Sequence, residues 1–152
     1  MSPDQLFKGD YKPFFEPYTV KVPEIQSGDT YYFTTFSGLQ YQVKFGKKRD
    51  NFLGNIINLS VLSEEFEDEY SETNRGEVFR IISTVIEIIR IYHANHVHSD
   101  TYEFTGEFKE TRDTQTASIR SRLYLRYAKS CLNDEWEPKL EGNKVIIRKM
   151  KP

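Results

Sequence analysis

The stretch 78–92 limits most severely what this chain can fold into. Val78, Ile81, Ile82, Val85, Ile88, Ile89 and Tyr92 recur at three- and four-residue spacing, which winds them onto one broad side of an α-helix. Arg80, Thr84, Glu87 and Ala94 are left as a narrow polar seam. An apolar arc this wide belongs to a helix mostly buried against a sheet, so the rest of the chain has to supply that sheet. The helix entrance is also legible: Asn74 suits an N-cap, and Glu77 stands three residues on, where it can fold back as a capping box.

Strand patterns lie on both sides. Residues 18–22 alternate, and 31–36 are rich in aromatic and β-branched types, the side chains that suit a pleated surface. Ser37 and Gly38 break the run. Leu39, Tyr41, Val43 and Phe45 then alternate with Gln40, Gln42 and Lys44, predicting a strand with one dry and one wet face. A basic turn over 46–51 leads to a strand over 55–62 and so to the helix. Beyond a polar turn at 93–100, a strand is predicted over 101–108, beside the one from Asn55, followed by a charged loop over 109–116. A second helix over 117–132 turns Ile119, Leu123, Tyr124, Tyr127, Ala128 and Cys131 inward and Arg122, Arg126 and Lys129 outward. Glu141, Gly142 and Asn143 then join the two strands of a closing hairpin.

With 152 residues, 38% of them hydrophobic, the chain is long enough for one domain with a real core. Residues 18–152 are expected to form it. Residues 1–17 carry Pro3, Pro13 and Pro17 among Phe7, Tyr11, Phe14 and Phe15, which predicts an extended arm. Those rings call for a cover, from their own domain or from a protein partner that includes a second copy of the chain. The net charge of −2 gives no general attraction to nucleic acid or anionic membrane. A single cysteine, Cys131, excludes an internal disulfide and points to a reducing compartment. No apolar run reaches the length of a bilayer. A soluble cytoplasmic protein with no membrane contact is expected.

The order strands, buried helix, strand, basic helix, hairpin resembles the core of the GNAT (N-acetyltransferase) superfamily from about residue 31 to 149. Its local anchors are Arg75-Gly76 at the helix entrance, and Leu123-Tyr124-Leu125-Arg126-Tyr127-Ala128, which is similar to the family's Leu-Tyr-x-Lys-x-Gly-Phe segment. The chain also resembles GNAT-like proteins of tailed phages and their bacterial relatives. The resemblance implies an α+β domain with a mixed sheet, a site at Arg75, Gly76 and Glu77 for the pyrophosphate of acetyl-CoA, and Tyr124 as general acid towards the departing thiolate. A phenol suits that step because it is protonated at neutral pH.

The entrance departs from the family pattern, however. With Gly76 at the first glycine position, Thr73 replaces the family's Gln or Arg and Val78 its second small residue. Glu77 would bring a like charge to the phosphates and compete for the same amides. The expectation is therefore a non-catalytic GNAT-like protein that works through contacts with no cofactor, either phage-encoded, in host cytoplasm or virion, or phage-derived. Its expected interface comprises Phe7, Tyr11, Phe14, Phe15, Arg122, Arg126 and Lys129. An acetyl-CoA-dependent N-acetyltransferase is the alternative, with Glu72, Glu103 and Glu107 near the cleft but none assignable as base. A nucleic-acid binder using the Arg120–Lys129 helix comes third, because that helix has no interleaved exposed aromatics and the chain as a whole is acidic. His93, His96, His98 and Asp100 have a loose metal-ligand spacing. Solvation at a helix C-terminus is the expectation for the histidines, and no metal site is assigned. The acidic run 64–69 reads as a solvated loop or a contact for a basic surface.

Overall fold

A computed structural model of the chain describes residues 6–9, 11–13, 15–25, 28–36, 38–62, 75–105, 119–142 and 144–150. Their elements follow in the order β1 (Thr30–Thr34), β2 (Gln40–Lys47), β3 (Gly54–Val61), α1 (Arg75–Ala94), β4 (Thr101–Thr105), α2 (Ile119–Cys131), β5 (Trp136–Glu141) and β6 (Lys144–Lys149). The six strands form one mixed sheet in the order β1-β2-β3-β4-β6-β5. Neighbours run antiparallel except β3 and β4, which run parallel with Asn55 opposite Tyr102 and Ile57 opposite Phe104. A parallel pair needs a crossover longer than a hairpin, and α1 supplies it. The fold is therefore α+β, and the strand from Thr101 lies beside the one from Gly54, as predicted.

Alternation in β2 sorts the sheet into two faces. Leu39, Tyr41, Val43 and Phe45 are at most 2% exposed, whereas Gln40 and Lys44 are exposed. Register carries the dry face across to Tyr31 and Phe33 on β1, Ile57 on β3, Tyr102 and Phe104 on β4, and Val145 and Ile147 on β6. The buried side of α1, with Ile82, Val85, Ile86 and Ile89, joins these residues in one core cluster. Tyr92 closes its lower end by stacking on Phe45 at 3.9 Å between ring centroids. The Tyr92 hydroxyl donates to Asn55 Oδ1 at 3.0 Å, and Asn55 Nδ2 donates to the Thr101 carbonyl at 3.2 Å. The buried amide is thereby satisfied at the junction of the two parallel strands.

On α2, Tyr124, Tyr127, Ala128 and Cys131 are buried while Arg122, Arg126 and Lys129 are exposed, as the spacing predicts. The β1–β2 and β5–β6 turns use glycine with positive φ, Gly38 at 91° and Gly142 at 61°, a region other residues rarely adopt. The outer edge at β5 carries Pro138 between Glu137 and Lys139, features that discourage another strand from adding there. Among the described residues, no helix is long and apolar enough to cross a membrane.

The predicted strand over 18–22 is not formed. Only Lys21 bridges to Tyr32, because the Tyr18 N–H is taken by Thr84 Oγ1 at 2.8 Å and the chain leaves the sheet for α1 at that point. The preceding residues continue over the helices. The Ser83 hydroxyl donates to the Phe15 carbonyl at 2.5 Å, and Arg80 Nε donates to the Glu16 carbonyl at 2.8 Å. Farther back, Asn133 N–H donates to the Leu6 carbonyl and Lys8 N–H to the Cys131 carbonyl. The arm thus crosses from the end of α2 to the β1 edge, with Leu6 and Phe7 inside the core.

Candidate functional site

β3 and β4 pair over only part of the length of β3. Their pairing covers Gly54–Ile57 against Thr101–Phe104, and the rest of β3, from Asn58 to Val61, pairs with β2. Arg75, Gly76, Glu77 and Val78 open α1. Their side chains lie outside the described residues, as do Asn74, Glu72, Glu107 and the acidic run 64–69.

Tyr124 reaches the inner side of the sheet from α2. It is fully buried, with its ring edge-on to Phe104 at 4.8 Å. Glu103 is on the other side. It stands between the inward residues Tyr102 and Phe104, so strand alternation turns it to the outer face. There its carboxylate pairs with the Lys48 ammonium through Oε2 and with Lys144 at 3.3 Å through Oε1. Burial by itself raises the Glu103 carboxyl, but hydrogen bonds and charge from the two lysines outweigh it and hold the group below the ordinary carboxylate range. Glu103 is therefore a neutralised structural carboxylate and a poor proton acceptor. Alternation places it outward from sequence alone, but Lys48 comes from the β2–β3 turn and Lys144 from β6, partners visible only once register is known.

The arm residues meet different environments. Phe7 is 4% exposed, Tyr11 is half-buried, and Phe15 is 41% exposed and stacks on Phe79 at 5.0 Å. Phe14 lies outside the described residues. Burial, with Tyr127 beside it, pushes the Tyr11 phenol well above its ordinary value. Between residues 6–13 of the arm and the last turns of α1 lies a cavity of about 530 Å³ that includes Lys8, Tyr11, Arg90 and His93. Arg90 is held by Glu87 at 3.0 and 2.5 Å, so its charge is already answered.

The histidines differ from the solvated set expected. His93 is buried, with Nδ1 2.6 Å from the Tyr102 hydroxyl and its ring edge-on to Trp136. His96 stacks on Tyr92, and its Nδ1 lies 2.9 Å from the Tyr92 carbonyl. His98 is exposed, and Asp100 accepts from Asn51 and Thr101. Among the described residues, no group of histidine, cysteine and acidic side chains could hold a metal ion. Cys131 is a core thiol whose pKa burial pushes up to about 12. Comparison of the chain with protein-family models, with curated proteins and with solved structures finds no match.

Proposed function

We propose that this chain is a GNAT-like domain that acts by contact, as a binding or assembly protein of the kind found among phage and phage-derived proteins. The strand order, with a parallel β3–β4 pair spanned by α1 and a hairpin placed beyond β4, supports the GNAT-like part of this reading. The non-catalytic part rests on one observation. Tyr124 and Glu103, the described residues with acid and base character near the expected cleft, lie on opposite faces of the sheet, the first fully buried and the second paired with two lysines. Groups that exchange protons with one substrate must come within hydrogen-bond reach of it, and these two do not share a side. Contact through the arm fits the stack of Phe15, 41% exposed, on Phe79.

Calorimetric titration with acetyl-CoA is expected to show no saturable heat. Saturable binding that is lost in Arg75→Ala, with transfer slowed by Tyr124→Phe, would replace this reading by an acetyltransferase. The contact itself is tested by sedimentation of wild type and Phe15→Ser over a range of concentrations. Association of the wild type that is lost in the variant supports self-contact at the arm. A wild type that stays monomeric assigns the contact to a different protein.

A further inference from the structure

A different part of the arm has the features of a ligand site. Where residues 16–20 leave the sheet edge, a wedge of about 420 Å³ opens between them and the end of β1. Arg80 forms part of its wall, and its guanidinium sits in the corner of two rings set edge-to-face, 4.2 Å from the Tyr18 centroid and 4.2 Å from that of Phe36. Nε is used by the Glu16 carbonyl. Two rings and one acceptor thus hold the group, and its remaining N–H groups have no carboxylate partner among the described residues. A guanidinium held this way is positioned in advance for an anion that accepts from it.

A second donor faces the same gap. Lys21 and Tyr32 exchange both backbone hydrogen bonds, so alternation turns the N–H and C=O of Thr34 towards the arm as well. The arm has already turned away to Thr84, and the Thr34 N–H has no backbone partner among the described residues. Charge narrows the ligand. Arg80 and Lys21 face Glu16 around the wedge, a balance that one negative charge answers and a dianion exceeds. Phe36 is 79% exposed, so the free edge of its ring beside Arg80 offers an apolar contact. We infer that the wedge binds a monocarboxylate attached to an apolar or aromatic group, with the carboxylate on Arg80 and the Thr34 N–H and the apolar part on Phe36. This site stands whether or not the chain also contacts a protein through its arm.

Sodium benzoate is the probe, followed by amide NMR at constant ionic strength, with inorganic phosphate as the counter-probe. Benzoate is expected to shift the Thr34 amide and Arg80 Nε–H together and saturably, with affinity on the order of millimolar. Phosphate should leave both in place. Arg80→Lys keeps the charge without the guanidinium and should weaken benzoate about tenfold. Phe36→Leu alters an exposed side chain that the fold does not need, and should weaken benzoate severalfold by removing the ring that orients the guanidinium. The proposal is overturned if benzoate gives no saturable shift, if phosphate saturates the same amides, or if benzoate binds Phe36→Leu as it binds wild type.

Discussion

The two long sides of α1 are buried by opposite means. On one side Ile82, Val85, Ile86 and Ile89, each at most 1% exposed, share the core with the aromatic face of the sheet. Dispersion and water exclusion act there without directional bonds. On the other side Ser83 and Thr84 are equally buried at 0%, yet what covers them is the main chain of the arm. Thr84 Oγ1 accepts from the Tyr18 N–H and donates to the Arg80 carbonyl at 2.6 Å, and Ser83 Oγ donates to Phe15 and lies 3.1 Å from the Tyr127 hydroxyl. An arm containing Pro13 and Pro17 cannot offer a continuous hydrogen-bonded ladder. The hydroxyls of α1 give its carbonyls and amides the partners that a strand neighbour would have given. The first side makes the fold stable; the second decides where the arm lies.

The largest effect tests the first side. Ile89→Ala deletes a fully buried side chain and should cost about 2–5 kcal/mol, the range for truncation of a large aliphatic residue in a packed core. Urea denaturation gives the value. A loss far below this range would mean that the helix can settle onto the sheet, and the side would not be the rigid layer that the contrast requires.

Thr84→Val tests the second side at nearly constant volume. It removes both hydrogen bonds and leaves the Tyr18 N–H without an acceptor, so a loss of about 1–3 kcal/mol is expected. Faster proteolytic cutting within residues 12–20 should accompany it, because the lesion frees the arm and not the core. Unchanged cutting would show that aromatic contacts alone hold the arm, and the contrast between the two sides would disappear.

That contrast also explains what could be read in the sequence. The buried stripe of α1, the alternation of β2, the β3–α1–β4 crossover and the hairpin of β5 and β6 are all periodic, and periodicity reports burial by apolar side chains. Thr84 breaks the pattern and reads as part of a narrow polar seam. Its burial depends on a segment 66 residues away, a relation that no local window contains. The strand expected over 18–22 failed for the same reason, since its alternation is real but its hydrogen bonds go to a helix. His93 was expected in solvent at the helix end, yet Tyr102 and Trp136 enclose it. Glu103 could be placed on the outer face by counting, but its two lysines come from a turn and a strand that the count does not join.

The smallest expected effect extends the contrast from the helix to the outer face of the sheet, where a carboxylate is buried by pairing charges. The Lys48 and Lys144 ammoniums hold the Glu103 carboxyl below its ordinary value. Its stabilising contribution is then complete above the unfolded carboxylate pKa of about 4.3 and is lost as pH falls through the lower folded value. Glu103→Gln keeps the shape and abolishes the titration. The variant should be less stable than wild type by about 1 kcal/mol at neutral pH, the scale of a partly exposed ion pair. The gap should close as the pH drops below about 4. Added salt should narrow it at neutral pH, since the Lys144 side chain is 49% exposed and screened by solvent ions. Chemical denaturation of both proteins across the acid range measures this directly. A gap that stayed constant with pH would mean that Glu103 contributes through packing and hydrogen bonding alone. The outer face would then be organised by shape, as the inner face is, and not by charge.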